Sequence, residues 1–114
     1  MISGVAFLLA AGIGAILRAV AGYRWNRSGG FASGTFGVNV LGSFLMGLLH
    51  HVAPPTVTVL GAGFLGSLTT YSSFAHDTIA LVELRRAAIA ILYLACTLAA
   101  CVVAALAGIH IAGT

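Results

Sequence analysis

Apolar residues run along this chain in four long stretches, each set off from the next by a few polar or turn-forming residues. The stretches cover about residues 2–23, 31–52, 57–82 and 87–109 and take up nearly the whole sequence. A helix needs roughly 20 apolar residues to cross the ~30 Å hydrocarbon core of a bilayer, so each stretch predicts a membrane span. The interruptions agree. Asn26 to Gly30 is a polar, glycine-rich turn, Pro54-Pro55 stops a helix, and Glu83 to Arg86 is a short charged turn. No room remains for a soluble domain, and backbone groups in lipid must be satisfied internally. The expectation is a single all-α membrane domain, residues 1–114, with four transmembrane helices.

Composition excludes the main alternatives. The chain is 61% hydrophobic and 6% charged, with a mean hydropathy of +1.12, whereas soluble domains carry roughly a quarter charged residues. A soluble enzyme is excluded as the default, and so is disorder, because so apolar a chain cannot stay solvated. The net charge of +3 rests on five arginines and no lysine, too few to make a nucleic-acid surface. The first stretch has no basic region ahead of it, so it reads as a retained span and not a signal peptide. Cys96 and Cys101 lie in one apolar run, where a rigid helix keeps them from bonding to each other.

The few charges carry orientation. With four spans, the turns after the first and third lie on one side, and Arg24, Arg27, Arg85 and Arg86 sit in or beside them. The other side offers His50, His51, His110 and the termini. The positive-inside rule then places both termini outside the cytoplasm, in a multi-pass protein of the plasma membrane.

Polar residues inside the spans are the candidate chemistry. Thr35, Asn39 and Ser43 stand at i, i+4 and i+8, on one face of the second span. An amide at that depth is costly without a partner; a helix–helix hydrogen bond would satisfy it, and a polar track along a pathway is the reading favoured here. In the third span, Gly61, Gly63 and Gly66 precede Thr69, Thr70, Ser72 and Ser73. Such a run can break the helix there, and broken helices offer free carbonyls and N–H groups to ions. Tyr71, Phe74 and Asp77 share a face if the following half is helical. Tyr93, Thr97 and Cys101 form a weaker stripe in the fourth span, and Gly14, Arg18 and Gly22 fall on one side of the first. Both a buried guanidinium between small residues and a snorkelling one fit Arg18.

Catalysis finds little support. The histidines lack zinc-ligand spacing, and no nucleophile stands beside an obvious base. Gly61 to Gly66 fits G-x-G-x-x-G after a strand-like Thr56 to Leu60, but a dinucleotide site needs a second strand that the sequence does not supply.

Taken together, these residues resemble the Fluc (CrcB) family of small fluoride channels. The resemblance spans G-x-G-A-x-x-R at Gly12 to Arg18, G-T-x-x-x-N-x-x-G-S-F-x-x-G from Gly34 to Gly47, and G-x-x-G-x-x-T-T-Y-S-x-F from Gly63 to Phe74. It implies a passive fluoride channel that exports cytoplasmic fluoride and confers fluoride resistance. The implied architecture is an antiparallel dimer with two pores and a third helix broken in mid-membrane. By the same resemblance Asn39 is a pore donor, Tyr71 and Phe74 fill the two pore aromatic positions, and Ser43, Thr70 and Thr97 belong to a hydroxyl track. A structural sodium ion at the dimer interface would be held by the carbonyls of Gly66 and Thr69, with Arg18 and Asp77 at polar positions near the vestibules.

Two departures from the family pattern stand out. Tyr71 occupies a position that is usually Phe, and the loop arginines all fall on one side, whereas a homodimer inserting both ways needs nearly balanced loops. Both favour one half of a heterodimer, fixed in one orientation, with a paralogous partner of opposite bias. The competing reading is a small four-helix multidrug/proton antiporter. Such an exporter needs a carboxylate inside the membrane, typically in the first helix, and Asp77 is the only deep candidate. A purely structural membrane subunit, with no flux of any kind, is the third.

Overall fold

Helical hydrogen bonding accounts for almost all of the backbone in the computed structural model, which describes residues 2–26, 30–53 and 56–113. Arg27, Ser28 and Gly29 of the first turn and the Pro54-Pro55 stop lie outside the described residues. Helix α1 spans Ile2–Trp25 and α2 spans Ser33–Leu48, followed by a single 3₁₀ turn, Leu49–His51. A widened, π-helical segment, Thr58–Leu65, leads into the short turn α3, Gly66–Leu68. Thr69 and Thr70 are extended (ψ 154° and 119°), and helix resumes as α4, Tyr71–Glu83. The last helix, α5, spans Ala87–Ile111. The strand-like Thr56 to Leu60 is therefore helical.

Among the described residues two helices are long and apolar enough to cross a bilayer alone, over Gly4–Trp25 and Ala87–Ile111. At 1.5 Å per residue α2 is only about 24 Å long, and the 58–83 stretch is interrupted, so neither meets that criterion as one helix. Tyr23, Arg24 and Trp25 close α1 with exposed rings and a guanidinium 5.9 Å from the Trp25 ring, a composition suited to a membrane interface.

The turn after α4 shows how its residues stop a helix. Arg86 N–H donates to the Leu81 carbonyl at 2.8 Å and Arg85 N–H to Val82 at 3.0 Å, while Arg85 takes φ 59°. These are the bonds of a Schellman motif, with arginine at the left-handed position that usually holds glycine.

Packing sets the directions of the helices. Asn26 beside Thr35 makes α1 and α2 an antiparallel pair. Phe31 meets Tyr93 and Gly47 meets Ala105, so α2 and α5 run in the same direction. Their backbones nearly touch: a Cβ on Gly47 would collide with the Ala105 carbonyl, and one on Gly108 with that of Phe44. Phe7 and Ala10 lie against Gly63, and Gly14 against Phe64 and Leu68, so α1 runs parallel to the 58–68 segment. Consequently Arg24, Arg85 and Arg86 fall at one end of the molecule and His50, His51 and His110 at the other.

Two small cores flank α2. Ala21, Val38, Leu65 and Leu68 form one, and Ala32, Phe74, Leu81, Ala90 and Tyr93 the other. The molecule is a slab of 48 × 30 × 18 Å with a radius of gyration of 15.2 Å, against about 13 Å for a compact domain of this length. Large apolar side chains stay exposed along α1 (Leu8, Leu9, Ile16) and α5 (Ile91, Val103, Leu106). Water does not tolerate such continuous faces; lipid or another subunit does.

Candidate functional site

The interruption at Thr69 and Thr70 frees backbone groups, and Asn39 of α2 takes them up. Thr70 N–H donates to Asn39 Oδ1 at 2.7 Å, and Asn39 Nδ2 donates to the Thr70 carbonyl at 3.1 Å. Both residues are buried, so this pairing replaces two helical bonds with a side-chain amide and satisfies groups that would otherwise be costly. One of the two Nδ2 protons is spent on Thr70, leaving the second available.

The same diversion leaves two carbonyls without their helical donors. In a continuous helix Thr70 N–H would close on Gly66 and Ser73 N–H on Thr69. Here Thr70 N–H goes to Asn39, and Ser73 N–H goes to Thr70 Oγ1 at 3.1 Å, which caps α4. Thr69 is also pressed against α2, where its Cγ2 occupies the space that a Cβ on Gly42 would need. The carbonyls of Gly66 and Thr69 have thus lost their i+4 donors, a donor set of neutral oxygens that suits a hard cation.

A groove of about 510 Å³ runs beside the interruption. It gathers Asn39 and Ser43 from α2, Thr69 and Thr70 from the extended link, Tyr71 and Phe74 from α4, and Thr97 from α5. Among the described residues no Asp, Glu, Lys or Arg lines it. Most of its polar groups are already engaged. Ser43 Oγ donates to the Asn39 carbonyl at 2.8 Å, and Thr70 Oγ1 lies 3.2 Å from Ser72 Oγ. Thr97 differs: it is 3% exposed, and its Oγ1 has no partner among the described residues.

Aromatic rings form one wall. Tyr71 and Phe74 stand 6.1 Å apart between centroids, Phe74 buried and Tyr71 80% exposed. Phe74 continues to Tyr93 at 5.3 Å, and Tyr93 meets Phe31 edge-on at 5.1 Å. Tyr93, fully buried, donates its hydroxyl to Asp77 Oδ2 at 3.3 Å.

The structure therefore brings together Asn39, Ser43, Thr69, Thr70, Tyr71, Phe74 and Thr97, and leaves three candidates outside the groove. Gly66 lies exposed one turn before the link, Asp77 is held by Tyr93, and Arg18 is half-buried on α1. Thr35, though in register with Asn39 and Ser43, does not join them. Its N–H and Oγ1 bond the Asn26 side chain, both at 3.0 Å, pinning the start of α2 to the end of α1. Sequence reasoning passed over His50, which lines the groove beyond Met46, because the histidines were weighed as metal ligands and in the charge balance of the loops, not as groove-lining groups. Tyr93 carried a signal in its i, i+4 relation to Thr97, yet its role as the hub between Phe31, Phe74 and Asp77 is visible only in three dimensions.

An all-helical slab with apolar outer faces and an uncharged, hydroxyl-bearing groove defines a small membrane protein suited to a small polar or ionic solute. The chain belongs to the CrcB family: the profile described as CrcB-like protein, Camphor Resistance (CrcB), matches residues 5–109. Among its relatives, a protein of Rhodococcus jostii (strain RHA1) named fluoride-specific ion channel FluC 2 is 36% identical over 105 residues, covering 90% of this chain and 92% of that one. Proteins named fluoride-specific ion channel FluC are 46% identical over 84 residues in Anaeromyxobacter sp. (strain K), covering 68% of this chain and 67% of that one, and 39% over 89 residues in Sorangium cellulosum (strain So ce56), covering 72% and 70%.

Proposed function

We propose that this chain is a subunit of a passive, fluoride-selective channel that exports cytoplasmic fluoride. The observation that carries the reading is the groove itself, lined by neutral donors and holding a buried Thr97 hydroxyl with no partner among the described residues. Fluoride is small and strongly hydrated. A pathway must replace its water without a fixed cation that would trap it, since conduction needs sites that bind and release. The free Nδ2 proton of Asn39, the Thr97 hydroxyl and the positive edges of the Tyr71 and Phe74 rings are donors of that moderate strength. The driving force is the membrane potential, about 2.3 kcal/mol per charge per 100 mV, which pushes anions out of a negative cell.

The working unit in this reading is an antiparallel dimer with two pores, its third helix interrupted in mid-membrane at Thr69 and Thr70. The exposed Tyr71 ring and the 18 Å thickness of the slab support a second subunit completing the groove. The carbonyls of Gly66 and Thr69, freed of their helical donors, would hold a structural sodium ion. When bound it supplies positive potential near the pathway and a bridge between subunits. Clustering of Arg24, Arg85 and Arg86 at one end supports a fixed orientation with both termini outside the cytoplasm, and hence a heterodimer with a paralogous partner.

Fluoride-electrode efflux from liposomes, with chloride as control, tests the reading. The complex with its partner releases fluoride and not chloride. Absence of fluoride release from that complex refutes the channel, and robust release from this chain alone refutes the heterodimer.

A further inference from the structure

One mouth of the groove has no role in the reading above. There the end of α2 brings His50 into the wall beside Met46 and Gly47, with Ile109 of α5. His50 Nδ1 lies 3.0 Å from the Gly47 carbonyl. A carbonyl oxygen only accepts, so Nδ1 carries the proton and Nε2 is the nitrogen whose state changes. Among the described residues Nε2 has no hydrogen-bond partner. In neutral imidazole it presents a lone pair, which repels an anion. In imidazolium it presents an N–H and a full positive charge, which attract one. Imidazole is the side chain that makes this change between pH 8 and 5.

We propose that His50 is an anion-recruiting residue at this mouth, offering fluoride an N–H donor only when its ring is protonated. The inference rests on the fluoride-channel reading and deepens it. A charge at the mouth raises the local concentration of entering ions and does not trap them deeper in, where the groove is uncharged. Among the described residues the other titratable groups around this mouth are few. His51 stacks on the His50 ring with centroids 3.8 Å apart, so protonating both rings costs like-charge repulsion. His110 ends α5, Cys101 and Tyr71 line the groove further in, and the π-helical segment, packed beside Met46, carries no titratable side chain. Among the described residues no carboxylate is in the wall to neutralise an imidazolium.

The test is single-channel current in planar bilayers, with the channel purified as the complex the chain forms in its own membrane. Current is the proper readout because hydrogen fluoride crosses lipid without carrying charge. At fluoride concentrations well below saturation, entry limits the current. A unit charge roughly 7 Å away in a water-like medium then raises it about threefold. Wild-type current therefore rises toward that threefold limit as the pH on the His50 side falls from about 7.5 to about 5.5. His50→Gln flattens the response at the low level, His50→Arg holds the high level at both pH values, and His51→Gln, which removes the like-charge repulsion of the stacked ring, still lets the current rise as the pH falls. A wild-type fluoride current that ignores pH, or a response that survives in His50→Gln, overturns the proposal and leaves the channel reading standing. A complex with no fluoride current at either pH overturns the channel reading itself.

Discussion

Replacing Asn39 by alanine removes the side chain that, alone among the described residues, bonds the Thr70 backbone. Two buried groups, the Thr70 N–H and C=O, lose partners at 2.7 and 3.1 Å. Leaving a buried polar group unsatisfied costs about 1–3 kcal/mol. Asn39 and Thr70 are 9% and 7% exposed, so water replaces these bonds only in part, and the expected loss is about 2–5 kcal/mol against a typical total of about 5–15. Asn39→Asp separates the two bonds. It keeps an acceptor for the Thr70 N–H, but as a carboxylate it sets a buried charge against the Thr70 carbonyl, so its loss of stability is at least as large as that of Asn39→Ala and its charge suppresses anion flux. Thermal unfolding in detergent gives the global effect. Amide hydrogen exchange across residues 66–74 gives the local one, where a loss of about 2 kcal/mol speeds exchange roughly 30-fold at 1.4 kcal/mol per decade. An Asn39→Ala variant that melts and exchanges like the wild type would refute the idea that this amide holds the link.

Thr97→Val removes the unpartnered hydroxyl at constant shape, so stability holds or rises by about 1 kcal/mol while fluoride flux drops severalfold; a parallel fall in both would mean the hydroxyl is structural. Gly108→Val drives a side chain into the Phe44 carbonyl and is expected to abolish monodisperse protein on size-exclusion chromatography, whereas Gly37→Val, with open space around it, leaves the elution profile unchanged. Arg85→Gly relieves a left-handed backbone and raises the unfolding free energy by about 1 kcal/mol, read from denaturant titration. If Gly66 and Thr69 hold sodium, exchanging sodium for choline lowers the melting temperature, and equal melting in the two salts removes the ion from the account.

How much of this was legible in the sequence varies with the range of the interaction. The charged turn at Glu83 to Arg86 could be read from local chemistry because its Schellman bonds close within six residues. The stripe Thr35, Asn39, Ser43 shared a face as its spacing required, yet spacing does not name partners. Thr35 turned out to serve Asn26, nine residues back, and Asn39 found Thr70, thirty-one residues ahead. The glycines and hydroxyls of the third stretch pointed to weak helical bonding near Thr69. They did not show that one diverted N–H from each of Thr70 and Ser73 would strip the Gly66 and Thr69 carbonyls together. His50 was invisible as a groove residue because only the fold brings α5 and the π-helical segment against the end of α2.

The central claim is that the groove passes fluoride as a bare anion down its own gradient. Its most direct measurement is the reversal potential of the reconstituted complex under a tenfold fluoride gradient, with chloride and protons equal on both sides. The account predicts about 59 mV, the value for a single monovalent carrier. A reversal near zero, or one that follows an imposed chloride or proton gradient, contradicts it.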